Sequence, residues 1–139
     1  MIFSFDSPIE NLMKVEFLIE TVHDLLECEQ VDLALQLMTQ NIHLSHTISF
    51  VDCYATVLYC NEEYQESLHW LQMNLKRILE TKENELLLSS TYFQMGNCAI
   101  ALGQQENAID NYLECLNYVH TSDPIYIEIQ RLIPNAWAV

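Results

Sequence analysis

The sequence predicts an all-α protein: an α-solenoid in which about three helix-turn-helix hairpins stack in a row and a further helix closes the chain. Three observations carry this. Apolar residues recur at steps of three and four rather than two. Turn formers are scarce, with only 2 Gly and 3 Pro in 139 residues and no Asn-Gly or Asp-Gly pair to tighten a β-hairpin. Small residues in similar surroundings return at Ala34, Ser67 and Ala108, separated by 33 and then 41 residues.

The first helix is marked by Val15, Leu18, Ile19, Val22, Leu25 and Leu26, which share one stripe. Ser7 suits its cap, Pro8 its first position, and Glu10 completes a capping box. Further helices are expected at about 30–43, 47–60, 62–81, 84–101 and 105–119, and a last one, 124–133, opens at Asp123-Pro124. Connections this short turn neighbouring helices antiparallel. The hairpins cover about 15–48, 48–81 and 89–122, within a single domain 1–139. The longer second spacing exceeds a period near 34 by seven residues, about two helical turns. The helix through Leu75, Ile78 and Leu79 should therefore overrun towards Glu85.

Charge narrows the partners. Twenty Asp and Glu against five Lys and Arg give a formal net charge of −15, and the five cations (Lys14, Lys76, Arg77, Lys82, Arg131) form no stripe. Nucleic acid and anionic membrane are disfavoured, and protein is the expected partner. No apolar run is long enough to cross a bilayer, and Met1–Asp6 lacks the pattern of a secretory signal. Five dispersed cysteines without CxxC suit reduced thiols in the cytoplasm or nucleus.

No catalytic constellation emerges, so the chain is expected not to be an enzyme and to carry no cofactor or metal. A phosphate-binding loop needs several glycines, and Gly96 and Gly103 suit packing and a turn. His43 and His46 form an HxxH near Cys53, but two ligands do not make a site, and cationic histidine is favourable at a helix C-terminus. The clusters Glu27, Glu29, Asp32 and Glu62, Glu63, Glu66 fall at turns and first helical turns, where carboxylates offset the dipole.

The third hairpin shows a family likeness. Tyr92, Met95, Gly96, Ala99, Leu102-Gly103, Ala108-Ile109, Tyr112 and Cys115 follow an alternation of large, small and turn positions. This resembles the tetratricopeptide repeat (TPR) family, with Cys115 where Ala is usual. The second hairpin keeps the packing pattern but has Asn61-Glu62 in place of Leu-Gly, and the first is weaker still. The small positions let helix axes approach, with Gly96 or Ala55 on a first helix facing Ala108 or Ser67 on the second.

The resemblance implies a right-handed superhelical stack whose first helices line a concave groove, with Glu16, His23, Glu27, Asp52, Thr56, Tyr59, Phe93, Asn97 and Ile100 in it. Such a wall can grip an extended or helical peptide. The Lys and Arg of chaperone-tail clamps have no counterpart, since the matching places hold Ile19, His23, Asp52, Thr56, Phe93 and Asn97. An acidic tail would be repelled. Within the family, the degenerate first hairpins and the long helix before the third are similar to the amino-terminal region of TPR subunits of the anaphase-promoting complex, which implies self-association as a homodimer inside a ubiquitin ligase. The alternative is an acidic TPR chaperone for a type III secretion translocator.

The last segment is apolar on more than one face. A solenoid end normally carries a polar cap, so Ile125, Ile127, Leu132 and Trp137 are expected to be covered by a partner chain, by further chain, or by folding back into the groove.

Overall fold

The computed structural model describes residues 8–133. Among them are α1 (Pro8–Glu27), α2 (Val31–Gln40), α3 (Ile48–Cys60), α4 (Tyr64–Thr81), α5 (Leu88–Ala101), α6 (Gln105–Cys115) and α7 (Pro124–Leu132), with three short 3-10 turns and no strand. The Ser7 cap and Trp137 lie outside the described residues. Hairpins α1/α2, α3/α4 and α5/α6 stack in chain order, and α7 follows the third. The molecule is an α-solenoid.

Each hairpin turns in the same way. At the end of α1, Gln30 N–H bonds Leu25 O at 2.8 Å and Glu29 N–H bonds Leu26 O at 3.0 Å, which is a Schellman closure. Glu63 and Glu62 repeat it after α3, and Gln104 and Gly103 after α5. The motif requires a left-handed residue. Glu29 (φ 60°), Glu62 (φ 62°) and Gly103 (φ 76°) all supply it, so the two hairpins without the Leu-Gly pair still make the turn.

The repeat phase holds at the core. Ala34, Ser67 and Ala108 are fully buried, and Ser67 Oγ donates to Ala55 O at 2.7 Å, showing how near the α3 and α4 backbones lie. At the third hairpin a ring also takes up the space beside the small residue. A Cβ on Gly96 would collide with the ring of Tyr112, so the glycine makes room for an aromatic one turn beyond Ala108. A ring needs more space than a methyl group, which is why only this hairpin has glycine there.

Around these points lie Val22, Met38, Phe50, Val51, Tyr54 and Leu58 between the first two hairpins, and Ala55, Leu68, Leu71, Met95 and Cys98 between the second and third. Each fully buried large side chain contributes about 1.5–3 kcal/mol.

The helix through Leu79 does not reach Glu85. It stops at Thr81, because Lys82 (φ 58°) and Asn84 (φ 58°) adopt left-handed backbone, and a 3-10 turn over Glu85–Leu87 leads into α5. The inserted residues thus divide between a longer α4 and a turn, which also moves the start of α5 from the expected 84 to Leu88.

The terminal helix is corrected in part. Ile129 and Ile133 are buried, with Ile125 packed beside them, against Ala99, Ala108, Tyr112 and Cys115. Ile125 therefore belongs to the chain's own core, because the i, i+4, i+8 spacing aligns it with Ile129 and Ile133. Ile127 and Leu132 point outwards and stay exposed.

Candidate functional site

The first helices α1, α3 and α5 adjoin in order. On α1, Glu16, His23 and Glu27 are exposed. On α3, Asp52 and Thr56 are half-buried one turn apart, with Tyr59 exposed at the helix end. On α5, Phe93 and Asn97 are half-buried, and Ile100 is exposed.

Between α3 and α5 runs a polar tie that joins two hairpins. Gln94 Nε2 donates to Asp52 Oδ1 at 2.9 Å, and Thr56 Oγ1 donates to Gln94 Oε1 at 2.9 Å. One amide thus bridges both α3 side chains and sets the phase of α5 against α3. Burial raises the Asp52 carboxyl above its ordinary value of 3.8, opposed by the Gln94 hydrogen bond and by the field of His23.

Towards the third hairpin, Tyr112 Oη donates to Asn97 Oδ1 at 2.6 Å, and the Tyr112 ring lies 5.8 Å from that of Phe93. Burial raises the Tyr112 phenol, so it remains a donor. Tyr59 packs edge-on against Tyr64 at 5.2 Å, which fixes one of the exposed aromatics.

The structure therefore joins Asp52 and Thr56 through Gln94, and Phe93 and Asn97 through Tyr112, while Glu16, His23, Glu27 and Ile100 are exposed and are not drawn into either group. Gln94 was missed by the sequence reading. It is one place past the repeat partner of Asp52, but three residues before Asn97, and that helical spacing puts it on the same face. The histidine pair does not build a metal centre: His43 and His46 are exposed, with His46 Nδ1 3.1 Å from His43 O, whereas Cys53 is buried in the core. Among the described residues no three His, Cys, Asp or Glu side chains converge.

No protein-family model matches this chain, and no curated protein matches it in sequence. In three dimensions it is similar to the TPR2AB domain of yeast Sti1, solved as a complex with pHSP90, at a TM-score of 0.74 and 17% identity over 91% of this chain. The fold is TPR-like. The chain spans 48% of that solved chain. At this identity the likeness concerns the backbone, and the side chains on the first-helix face are this protein's own.

No helix among the described residues is long and apolar enough to cross a membrane. The site offers hydrogen-bonding amides, carboxylates and exposed apolar side chains, a chemistry that suits recognition of a protein segment.

Proposed function

We propose that this chain is a non-catalytic interaction scaffold that holds a peptide segment of a partner protein against the face of α1, α3 and α5. The observation that carries this reading is the Asp52–Gln94–Thr56 tie. It holds two neighbouring first helices in a set register beside the exposed side chains of Tyr59 and Ile100. Amides and carboxylates held in place, with apolar anchors next to them, bind a chain at low entropic cost.

Charge sets the kind of peptide. Glu16, Glu27 and Asp52 face it and none of the assigned positions is Lys or Arg, so a segment with basic residues beside an apolar one is favoured and an acidic tail is disfavoured. Selection of a random peptide library on the immobilised chain tests this. Enrichment of Lys or Arg next to an apolar residue is expected. The double variant Tyr59→Ala/Ile100→Ala should weaken the selected peptides by at least about ten-fold while keeping the helical fold. Equal binding by that variant would remove the face from the proposal.

Self-association is the narrower part of the reading, in line with the resemblance to subunits of the anaphase-promoting complex, and exposed Phe17 and Leu33 on the first hairpin favour it. A place in that complex rests on the sequence resemblance alone. The secretion-chaperone alternative rests on length, acidity and the three hairpins. A reducing compartment, cytoplasmic or nuclear, suits the five free thiols.

A further inference from the structure

A cleft of about 300 Å³ opens between the second helices α4 and α6. Its floor is Leu68 of α4 with Met95 and Ala99 of α5, all three buried. Met95 and Ala99 each stand two residues after Phe93 and Asn97, about 200° round the helix, so the cleft lies on the opposite side of α5 from those two. None of its lining residues belongs to the peptide site proposed above.

The walls are polar and hold no cation. Gln72 stands on α4, Asn107, Asp110 and Asn111 on α6, and Gln104 at the cap of α6. Asn111 Nδ2 donates to Asn107 O at 2.9 Å. A carbonyl only accepts, so this bond fixes the amide and leaves Asn111 Oδ1 to accept from elsewhere. Asn107 Nδ2 donates to Gln104 Oε1 at 3.1 Å, which leaves Asn107 Oδ1 in the same state. Gln72 and Asp110 make no hydrogen bond or ion pair with any described residue. The α6 wall therefore presents one uncompensated carboxylate and two amide oxygens, in a chain of formal charge −15.

We propose that this cleft receives an arginine side chain of a partner protein. The methylenes of that side chain lie on Leu68, Met95 and Ala99, as long cationic side chains do on apolar surface. Its guanidinium donates to the Asp110 carboxylate and to the oxygens of Asn107 and Asn111, with Gln72 closing from α4. Size agrees, because about 300 Å³ is the lower end of the range for ligand pockets and suits one side chain better than a nucleotide. Lysine fits less well. Its ammonium is a strongly hydrated point charge, whereas guanidinium sheds water more easily and spreads five donors in a plane, matching acceptors set along one turn of α6. The negative field of the whole chain draws the cation in before contact.

Proton–nitrogen NMR of the labelled full chain, titrated with the capped peptide Gly-Gly-Arg-Gly-Gly in about 0.15 M salt, tests the proposal. The side-chain amides of Gln72, Asn107 and Asn111 should shift and saturate at roughly millimolar peptide. Peptides with lysine or citrulline at the centre should bind at least about five-fold more weakly, citrulline keeping the shape of arginine without its charge. Asp110→Asn, an exposed change, should weaken the arginine peptide by at least about ten-fold, and Gln72→Ala by at least about three-fold. Tyr59→Ala/Ile100→Ala should bind as the parent does. Equal binding of the lysine peptide, or shifts spread over the acidic surface, would reduce the effect to general attraction of a cation and overturn the site. Binding lost in Tyr59→Ala/Ile100→Ala but kept in Asp110→Asn would move the arginine to the first helices, overturning this inference and leaving the earlier reading intact. Saturation by free L-arginine but not by the capped peptide would make the ligand a small molecule and overturn the protein partner. No shift at all up to about 20 mM peptide would overturn the proposal outright.

Discussion

Gly96 and Asp52 show how single positions carry the design. Gly96 is defined by the ring pressed against it: a methyl group there must push Tyr112 away and strain its 2.6 Å hydrogen bond to Asn97. Gly96→Ala should therefore cost about 1–3 kcal/mol of stability through overpacking, despite the better helix propensity of alanine. Chemical denaturation would measure it, and a stabilised variant would show that the ring yields freely. Asp52 behaves differently. Its carboxyl titrates above the ordinary value when folded, so the folded state binds the proton more readily, and stability falls as pH rises through the folded value. Below 3.8 the cost disappears. Asp52→Asn, which keeps an acceptor for Gln94, should raise the melting temperature at pH 7, with a benefit that shrinks as pH falls from the folded value towards that ordinary value and is absent below it. A benefit that persists undiminished in acid would point to packing instead of charge.

At the level of elements, the three Schellman turns share one geometry with different chemistry. Gly103 adopts its left-handed φ freely, whereas Glu29 and Glu62 carry a Cβ into the same region at a cost. Glu62→Gly should stabilise the chain by roughly 1 kcal/mol, and Gly103→Ala should destabilise it by a similar amount. Glu62→Ala is the control for lost charge, and an equal gain from both Glu62 variants would assign the effect to electrostatics. These turns also show why the repeat was readable from periodicity before it was readable from turn residues. Burial of the apolar stripe holds the hairpin closed strongly enough to force glutamate into a glycine conformation. The α4 overrun was misjudged for a related reason: length alone announces extra residues, but Lys82 and Asn84 decide where helix ends and turn begins.

On the scale of the whole molecule, tertiary burial separates five cysteines that look alike in sequence. Cys53, Cys98 and Cys115 are buried and Cys28 and Cys60 are exposed. Burial, with Asp52 adding to it, pushes the Cys53 thiol up to about 12, and burial with the charge of Asp123 pushes Cys115 up to about 11 against a hydrogen bond from the Phe93 backbone. Cys98 is raised by burial as well, and so is Cys60 although its residue is exposed, which makes Cys28 the faster of the two accessible thiols. A thiol reagent at neutral pH should modify Cys28 and Cys60 in the native chain and reach all five only in denaturant. Rapid modification of Cys53 or Cys115 without denaturant would mean that the stack opens readily.

Periodicity and the spacings of 33 and 41 residues by themselves determined the helices, their pairing and the small contact points at Ala34, Ser67 and Ala108. Those features depend on which face of each helix is apolar, and that is written locally, at intervals of three and four residues. Tertiary structure alone decided that Gly96 accommodates Tyr112, that Gln94 ties α3 to α5, and that Ile125 joins the core while Ile127 does not. Each of these depends on how one helix is phased against a distant neighbour. That phase is set by the shapes of all the side chains packed between them, which no single stretch of the chain contains.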